Sequence, residues 1–196
     1  MTKQLELASI TNCMYIPAHI IASVKNAIPV YKDWPKEGIS YKSTVGVATN
    51  PIAFSHVIDW YSMITSKVGA KEIYAADARG FIFGSATAIK THLPLHVVRK
   101  PGKLPGRVWS QEYELEYGTD KLELSQSDSV YDRSVIIIDD VLATGGTAEA
   151  ICKLLHNNLG IAYTSMTVAV LINLQFLGGE SRLTEQGIRV QGMLNE

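Results

Sequence analysis

The chain has 196 residues, with 18 Lys and Arg against 19 Asp and Glu, a formal net charge of −1. Hydrophobic residues at 46% and charged residues at 19% describe one ordinary globular domain rather than a disordered segment. The near-neutral balance argues against a bulk nucleic-acid binder, which shows a strongly basic face.

Cys13 and Cys152 are the only cysteines, too far apart for a disulfide framework or a zinc-ligand spacing, and a reduced, cytoplasmic compartment fits them. The N-terminus carries Glu6 and no unbroken apolar stretch before Pro17, so no cleaved signal peptide is expected. Pro29, Pro35, Gly38 and Pro51 divide residues 1–50 into short helices and loops, a small hood. Phe54, Val57, Ile58, Tyr61 and Ile64 then fall at helical spacing, predicting a helix that ends near Gly69.

Residues 71–77 (KEIYAAD) read as a strand, followed by a tight Ala78-Arg79-Gly80 turn and a helix over FIFGSATAIK. LPLHVVRK reads as a further strand, and 101–125 as loop-rich. Residues 134–140 (SVIIIDD) are a short apolar strand ending in two acids. Residues 147–159 are helical, with Ala150, Ile151, Leu154, Leu155 and Leu159 on one face, and 165–172 form another buried strand. The stretch 157–179 has no charged residue and could span a bilayer by length. Its Asn, Gly, Thr and Ser residues instead suit a turn, a buried strand and a turn, so no membrane span is expected. Strand and helix alternating predict a parallel α/β sheet covered on both faces, with ligands at the carboxyl ends of its strands.

The segment 135–147 (VIIIDDVLATGGT) carries the strongest signal. A buried strand delivers Asp139 and Asp140 to its end, and a turn with Gly145 and Gly146 opens a helix. Free amides at a helix N-terminus, beside small residues and the Thr144 and Thr147 hydroxyls, make a phosphate cradle. Adjacent carboxylates beside phosphate suit a ribose 2′,3′-diol, whose hydroxyls donate to them. The plainer alternative is a turn whose acids and threonines merely cap the helix. No GK[ST] follows, so this is not a Walker loop. Arg79, directly after a strand, can grip a pyrophosphate; the alternative is a surface arginine paired with an acid. Arg99, Lys100, Lys103 and Arg107 form a basic cluster in a Gly/Pro-rich loop. Glu112, Glu114 and Glu116 alternate with Tyr113, Leu115 and Tyr117, as on an exposed hairpin face.

The segment around Asp139 and Asp140 resembles the signature of the type I phosphoribosyltransferases, which bind phosphoribosyl pyrophosphate (PRPP). Residues 77–84 (DARGFIFG), 99–106 (RKPGKLPG), 113–120 (YELEYGTD) and 172–188 resemble the bacterial adenine phosphoribosyltransferase branch of that family, in its order along the chain.

The resemblance implies a mostly parallel twisted sheet flanked by helices, with a small N-terminal hood and a flexible lid loop. It implies one domain over 1–196: hood about 1–50, core about 51–190 and lid about 101–122. PRPP contacts fall on Arg79, Arg99, Lys100, Lys103, Asp139, Asp140, Ala143, Thr144, Gly145, Gly146 and Thr147. Purine contacts fall on Ser40, Tyr41, Lys42 and Leu142, and the catalytic positions on Glu116 and Tyr117. Mg²⁺ is expected on PRPP oxygens and water, with no protein metal cage. A cytoplasmic homodimer acting in purine salvage is implied, making AMP and pyrophosphate from adenine and PRPP, with no nucleic-acid or membrane partner.

The hood departs from the family pattern F-x-D-[FY]-P-x-P-G-[IV]-x-F-[RK]-D. Tyr41 stands for the stacking phenylalanine, Lys42 keeps a charge, Ser43 loses a carboxylate, and Asp77 replaces a glutamate. Two alternatives are a transferase for hypoxanthine or guanine and a non-catalytic PRPP-sensing regulator. Residues 1–30 are too short and insufficiently basic for the DNA-binding domain such a regulator carries. The five histidines match no motif of the family and are expected to be structural.

Overall fold

A computed structural model describes residues 16–115, 118–126 and 134–196. Its first elements are α1 (Ala18–Asn26), β1 (Val30–Lys32), β2 (Ser40–Lys42) and α2 (Val45–Ala48). β1 and β2 pair antiparallel, with Tyr31 opposite Tyr41. Strands of three residues with largely exposed side chains bury little apolar area, so this hood hairpin depends on what it leans against.

α3 (Pro51–Lys67) begins earlier than its apolar spacing, because Asn50 accepts from the Ala53 amide and Pro51 supplies a preset first turn. Then come β3 (Glu72–Ala76), α4 (Gly80–Thr91) and β4 (Leu95–Val98). β5 (Val108–Leu115) and β6 (Gly118–Ser125) form an antiparallel ribbon. The rest comprises β7 (Val135–Leu142), α5 (Gly146–Leu159), β8 (Met166–Asn173), α6 (Gly179–Thr184) and β9 (Arg189–Asn195).

The main sheet is parallel throughout, in the order β4-β3-β7-β8-β9. β7 lies at its centre and explains its own composition. Ile136 and Ile138 pack into the layer of α1, α3 and α4, while Val135 and Ile137 pack under α5 and the ribbon. All four are fully buried. A strand covered on both faces reads as an unbroken apolar run, and each such side chain contributes about 1.5–3 kcal/mol on burial.

Three boundaries differ from the sequence reading. The apolar run predicts β7 ending at the acids, yet Val141 still pairs with Ile172 and Leu142 with Asn173, because β8 continues alongside. Residues 101–122 are loop only as far as 107; from Val108 they form the β5–β6 ribbon, whose Tyr113, Leu122 and Leu124 are buried against the core beneath α5. The core reaches 195 rather than 190, since β9 is its fifth strand. Arg189, Gln191 and Gly192 interrupt the apolar period there and hide the strand. Among the described residues, no helix is long and apolar enough to cross a membrane.

Candidate functional site

A cavity of about 640 Å³ opens at the carboxyl ends of β3 and β7. Its floor is the segment from Asp139 to Ala148, and Asp77, Ala78 and Arg79 form one wall. Lys100, Tyr113, Val170 and Leu177 complete it. The floor exists because β7 runs straight into α5 through a turn that only small residues can make. Gly145 adopts φ +82° at the helix N-terminus, a left-handed conformation that disfavours a side chain. Gly179 of α6 presses on that turn from behind. A Cβ there would lie 2.2 Å from the Ala143 carbonyl oxygen and 2.8 Å from the Gly145 nitrogen. The cradle is thus backed by a second segment at van der Waals contact.

α6 is held in place by Glu149 on α5. Its carboxylate accepts from Arg182 at 2.6 Å, Gln186 at 2.7 Å and Lys153 at 3.1 Å. Burial alone pushes this carboxyl up, but the bonds from Arg182, Lys153 and Gln186 outweigh it and hold Glu149 below its ordinary range.

The two acids differ sharply. Asp140 is buried and its Oδ2 accepts from Arg79 Nε at 2.5 Å and from Thr44 Oγ1 at 2.5 Å. Asp139 is half-buried, its Oδ1 accepting from the Asp140 amide at 2.8 Å. Desolvation, then repulsion from Asp140, lifts the Asp139 carboxyl well above the ordinary range. Tyr61 donates to the Asp139 carbonyl at 2.7 Å, fixing the backbone between the acids from the α3 side.

Each cation near the cavity has a carboxylate partner. Arg79 pairs with Asp140, as the plainer sequence reading allowed, yet it also lines the cavity with its side chain 44% exposed. Lys100 pairs with Asp120 and donates to Tyr113 at 3.2 Å. Arg99 donates to Asp77 at 3.1 Å and lies over the Phe81 ring.

Of the expected PRPP residues, the structure gathers Arg79, Lys100, Asp139, Asp140, Ala143, Thr144, Gly145, Gly146 and Thr147 around the cavity. Arg99 and Lys103 do not line it. Arg99 is drawn away by Asp77 and by the backbone bridge between residues 99 and 123, and Lys103 lies in an exposed turn. Of the expected purine residues only Leu142 lines it. Ser40, Tyr41 and Lys42 sit on the hood hairpin at its edge. There Tyr41 packs on Trp34 with ring centroids 4.4 Å apart and accepts from Arg79 Nη1 at 3.4 Å, and Lys42 pairs with Glu196. Glu116 and Tyr117 lie outside the described residues. None of the five histidines lines the cavity; His96 stacks on Tyr74 and His156 on Tyr163.

Sequence reasoning missed Tyr113, Val170, Leu177 and the buttress of Gly179 and Glu149. The paired glycines at 178–179 were the one visible signal, since a glycine pair after a strand marks close backbone approach.

A domain model described as phosphoribosyl transferase domain matches residues 48–180. An adenine phosphoribosyltransferase of Yersinia pseudotuberculosis is 40% identical over 172 residues, 88% of this chain and 90% of that one. The crystal structure of adenine phosphoribosyltransferase from Thermoanaerobacter pseudethanolicus is 36% identical and superposes with a TM-score of 0.82, covering 90% of this chain and 99% of that one. The Giardia lamblia enzyme, solved with 9-deazaadenine, is 26% identical with a TM-score of 0.82, covering 90% of this chain and 97% of its own. The chain belongs to the phosphoribosyltransferase family, in its adenine phosphoribosyltransferase branch.

Proposed function

We propose that the protein transfers the phosphoribosyl group of PRPP to adenine, giving AMP and pyrophosphate in purine salvage. The observation that carries this is the cavity itself, where a backbone cradle at the start of α5, an acid pair and two cations face one another across a space of about 640 Å³. In this reading the amides and hydroxyls of 143–147 hold the 5-phosphate. Asp139 and Asp140 accept from the ribose diol, and Arg79 and Lys100 face the pyrophosphate. The purine nitrogen attacks C1 as the C1–O bond to pyrophosphate breaks, through an oxocarbenium-like state. Glu116 is assigned to the proton at the purine imidazole, with Tyr117 beside it.

Mg²⁺ would be held mainly by oxygens of the substrate pyrophosphate and by water, and would supply charge neutralisation for the leaving group. Among the described residues no group of three or more His, Cys, Asp or Glu is placed to hold it. The turn 101–107, with the ribbon behind it, is the segment proposed to close over PRPP and exclude water. A cytoplasmic homodimer, a hood about 1–50 and a single catalytic domain complete the reading.

Backbone groups near Ser40, Tyr41 and Lys42 are assigned to the base, an N–H to adenine N1 and a carbonyl to its 6-amino group. A 6-oxo purine reverses both. Each unpaired buried group costs about 1–3 kcal/mol, so kcat/KM should favour adenine over hypoxanthine and guanine by roughly tenfold to several-thousandfold. A purine panel with PRPP and Mg²⁺ tests this. Equal or better use of hypoxanthine would overturn the assignment of adenine as the preferred base and leave phosphoribosyl transfer standing.

A further inference from the structure

Thr44 occupies the residue before α2, the position where a threonine hydroxyl ordinarily caps its own helix. Its side chain makes no such cap. The hydroxyl instead donates to Asp140 Oδ2 at 2.5 Å, across 96 positions of sequence, and the residue is fully buried. A buried hydroxyl diverted from a local bond to a distant carboxylate fixes something other than its own helix.

What it fixes is a junction. The same Asp140 oxygen accepts from Arg79 Nε at 2.5 Å, and Arg79 reaches the hood again at Tyr41, 3.4 Å from its Nη1. Thr44 lies two residues after Lys42 and three after Tyr41, and its segment is anchored to the base of the hood. The Ser43 amide donates to the Pro29 carbonyl at 2.9 Å, and Gly46 lies so close to Pro29 that a Cβ would meet the ring at 2.3 Å. The hood therefore touches the Arg79–Asp140 pair from both ends, through Thr44 at the acid and Tyr41 at the guanidinium.

We propose that Thr44 is a positioning residue for PRPP, holding the Asp140 carboxylate in the orientation that meets the ribose diol and coupling it to the hood. The inference rests on the assignment of Asp140 to the ribose. Two donors on Oδ2, one of them charged and one buried, restrain the Asp140 side chain and leave Oδ1 as the acceptor offered to the diol. Removing Thr44's donor lets Asp140 follow Arg79 alone.

The test compares Thr44→Val, which keeps the shape and loses the donor, with Thr44→Ser, which keeps the donor. Thr44→Ala removes the donor without placing a second methyl against the carboxylate, should the valine variant fold poorly. Steady-state kinetics with PRPP and Mg²⁺, and unfolding temperatures by circular dichroism, are read for each. The expected result is a KM for PRPP raised about tenfold in the valine and alanine variants, the size of one lost bond to a charged group. KM for adenine stays within about twofold, and serine restores PRPP binding. A purely structural role would lower the unfolding temperature and leave the PRPP KM unchanged; that result overturns the inference, as does an equal rise in both KM values. Asp140→Asn separates the two readings. If it raises the PRPP KM while Thr44→Val does not, the inference alone fails. If Asp140→Asn leaves PRPP binding intact, the ribose assignment fails and takes the inference with it.

Discussion

The glycine turn that floors the cavity and the hood at its edge are built on opposite principles. The cradle is one continuous stretch of chain, β7 into α5, with fully buried isoleucines behind it and Gly179 packed directly against its turn. Its ligand-facing groups are backbone amides, whose places are set by the helix they begin. The hood is a hairpin of two three-residue strands with little buried area. Side chains hold it: Thr44 on Asp140, Tyr41 on Arg79, Lys42 on Glu196. Backbone anchored in a sheet gives fixed donors, suited to the phosphate proposed to meet them. Long side chains give a cover that can shift while a flat base enters. Substitutions in the cradle should therefore be costly and those in the hood graded.

The largest effect is expected from Asp139→Asn combined with Asp140→Asn. Each acid is assigned a charge-assisted bond worth about 1.5–3 kcal/mol, so kcat/KM for PRPP should fall by about a thousandfold or more. The fold should persist, since these acids lie beyond the apolar part of β7. Retention of most PRPP affinity would remove the ribose assignment.

Gly179→Ala comes next. Its methyl must displace the Ala143 carbonyl, an overpacking of about 1–3 kcal/mol that moves the cradle itself. PRPP KM should rise roughly tenfold to a hundredfold, with adenine KM far less affected. Equal loss for both substrates would show that α6 supports the whole cavity and not the cradle alone.

The hood counterpart is Lys42→Met, which cuts the pair with Glu196. Both side chains are partly exposed, at 31% and 26%, and such pairs are worth about 0–1 kcal/mol. A change of less than about fivefold in adenine KM, with PRPP KM unmoved, is expected. A loss as large as that of Gly179→Ala would mean that the hood is as rigid as the cradle.

Asp139→Asn alone sharpens the energetic side. The folded protein holds its proton above the range where the unfolded chain releases it, so stability falls as pH rises from the ordinary carboxylate range through the folded value. Asparagine removes that penalty. The variant should gain more in unfolding temperature at pH 7 than at pH 4 while losing activity. A gain independent of pH would contradict a raised Asp139.

The smallest effect concerns Cys152, whose thiol is fully buried and pushed up to about 12 by burial and then by Glu149. Peptide mapping after iodoacetamide at pH 8 should find it unmodified in the native protein and labelled once unfolded.

The sheet was legible because parallel strands buried on both faces must be apolar throughout, and β3, β7 and β8 each show that run. The cradle was legible for a related reason: strand, acid pair, glycine turn and helix are contiguous, so their order in sequence is their order in space. β9 was not, because Arg189, Gln191 and Gly192 sit at a sheet edge where one strand neighbour suffices and polar residues are tolerated. Nor could sequence tell which cations face the cavity. Arg99 and Lys100 are adjacent in the chain, yet Asp77 draws one aside while Asp120 leaves the other at the wall.

Sequence by itself determined the glycine turn between β7 and α5 that the proposed function gives to phosphate, because amides at a helix start and two small residues follow from local backbone geometry alone. Only tertiary structure decided that Thr44 spends its hydroxyl on Asp140, that Glu149 fastens α6, and that Gly179 backs the cradle. Those contacts join residues 96, 33 and 34 positions apart. Their partners are chosen by how β7, α2 and α6 come to rest against one another, a choice that no local pattern encodes.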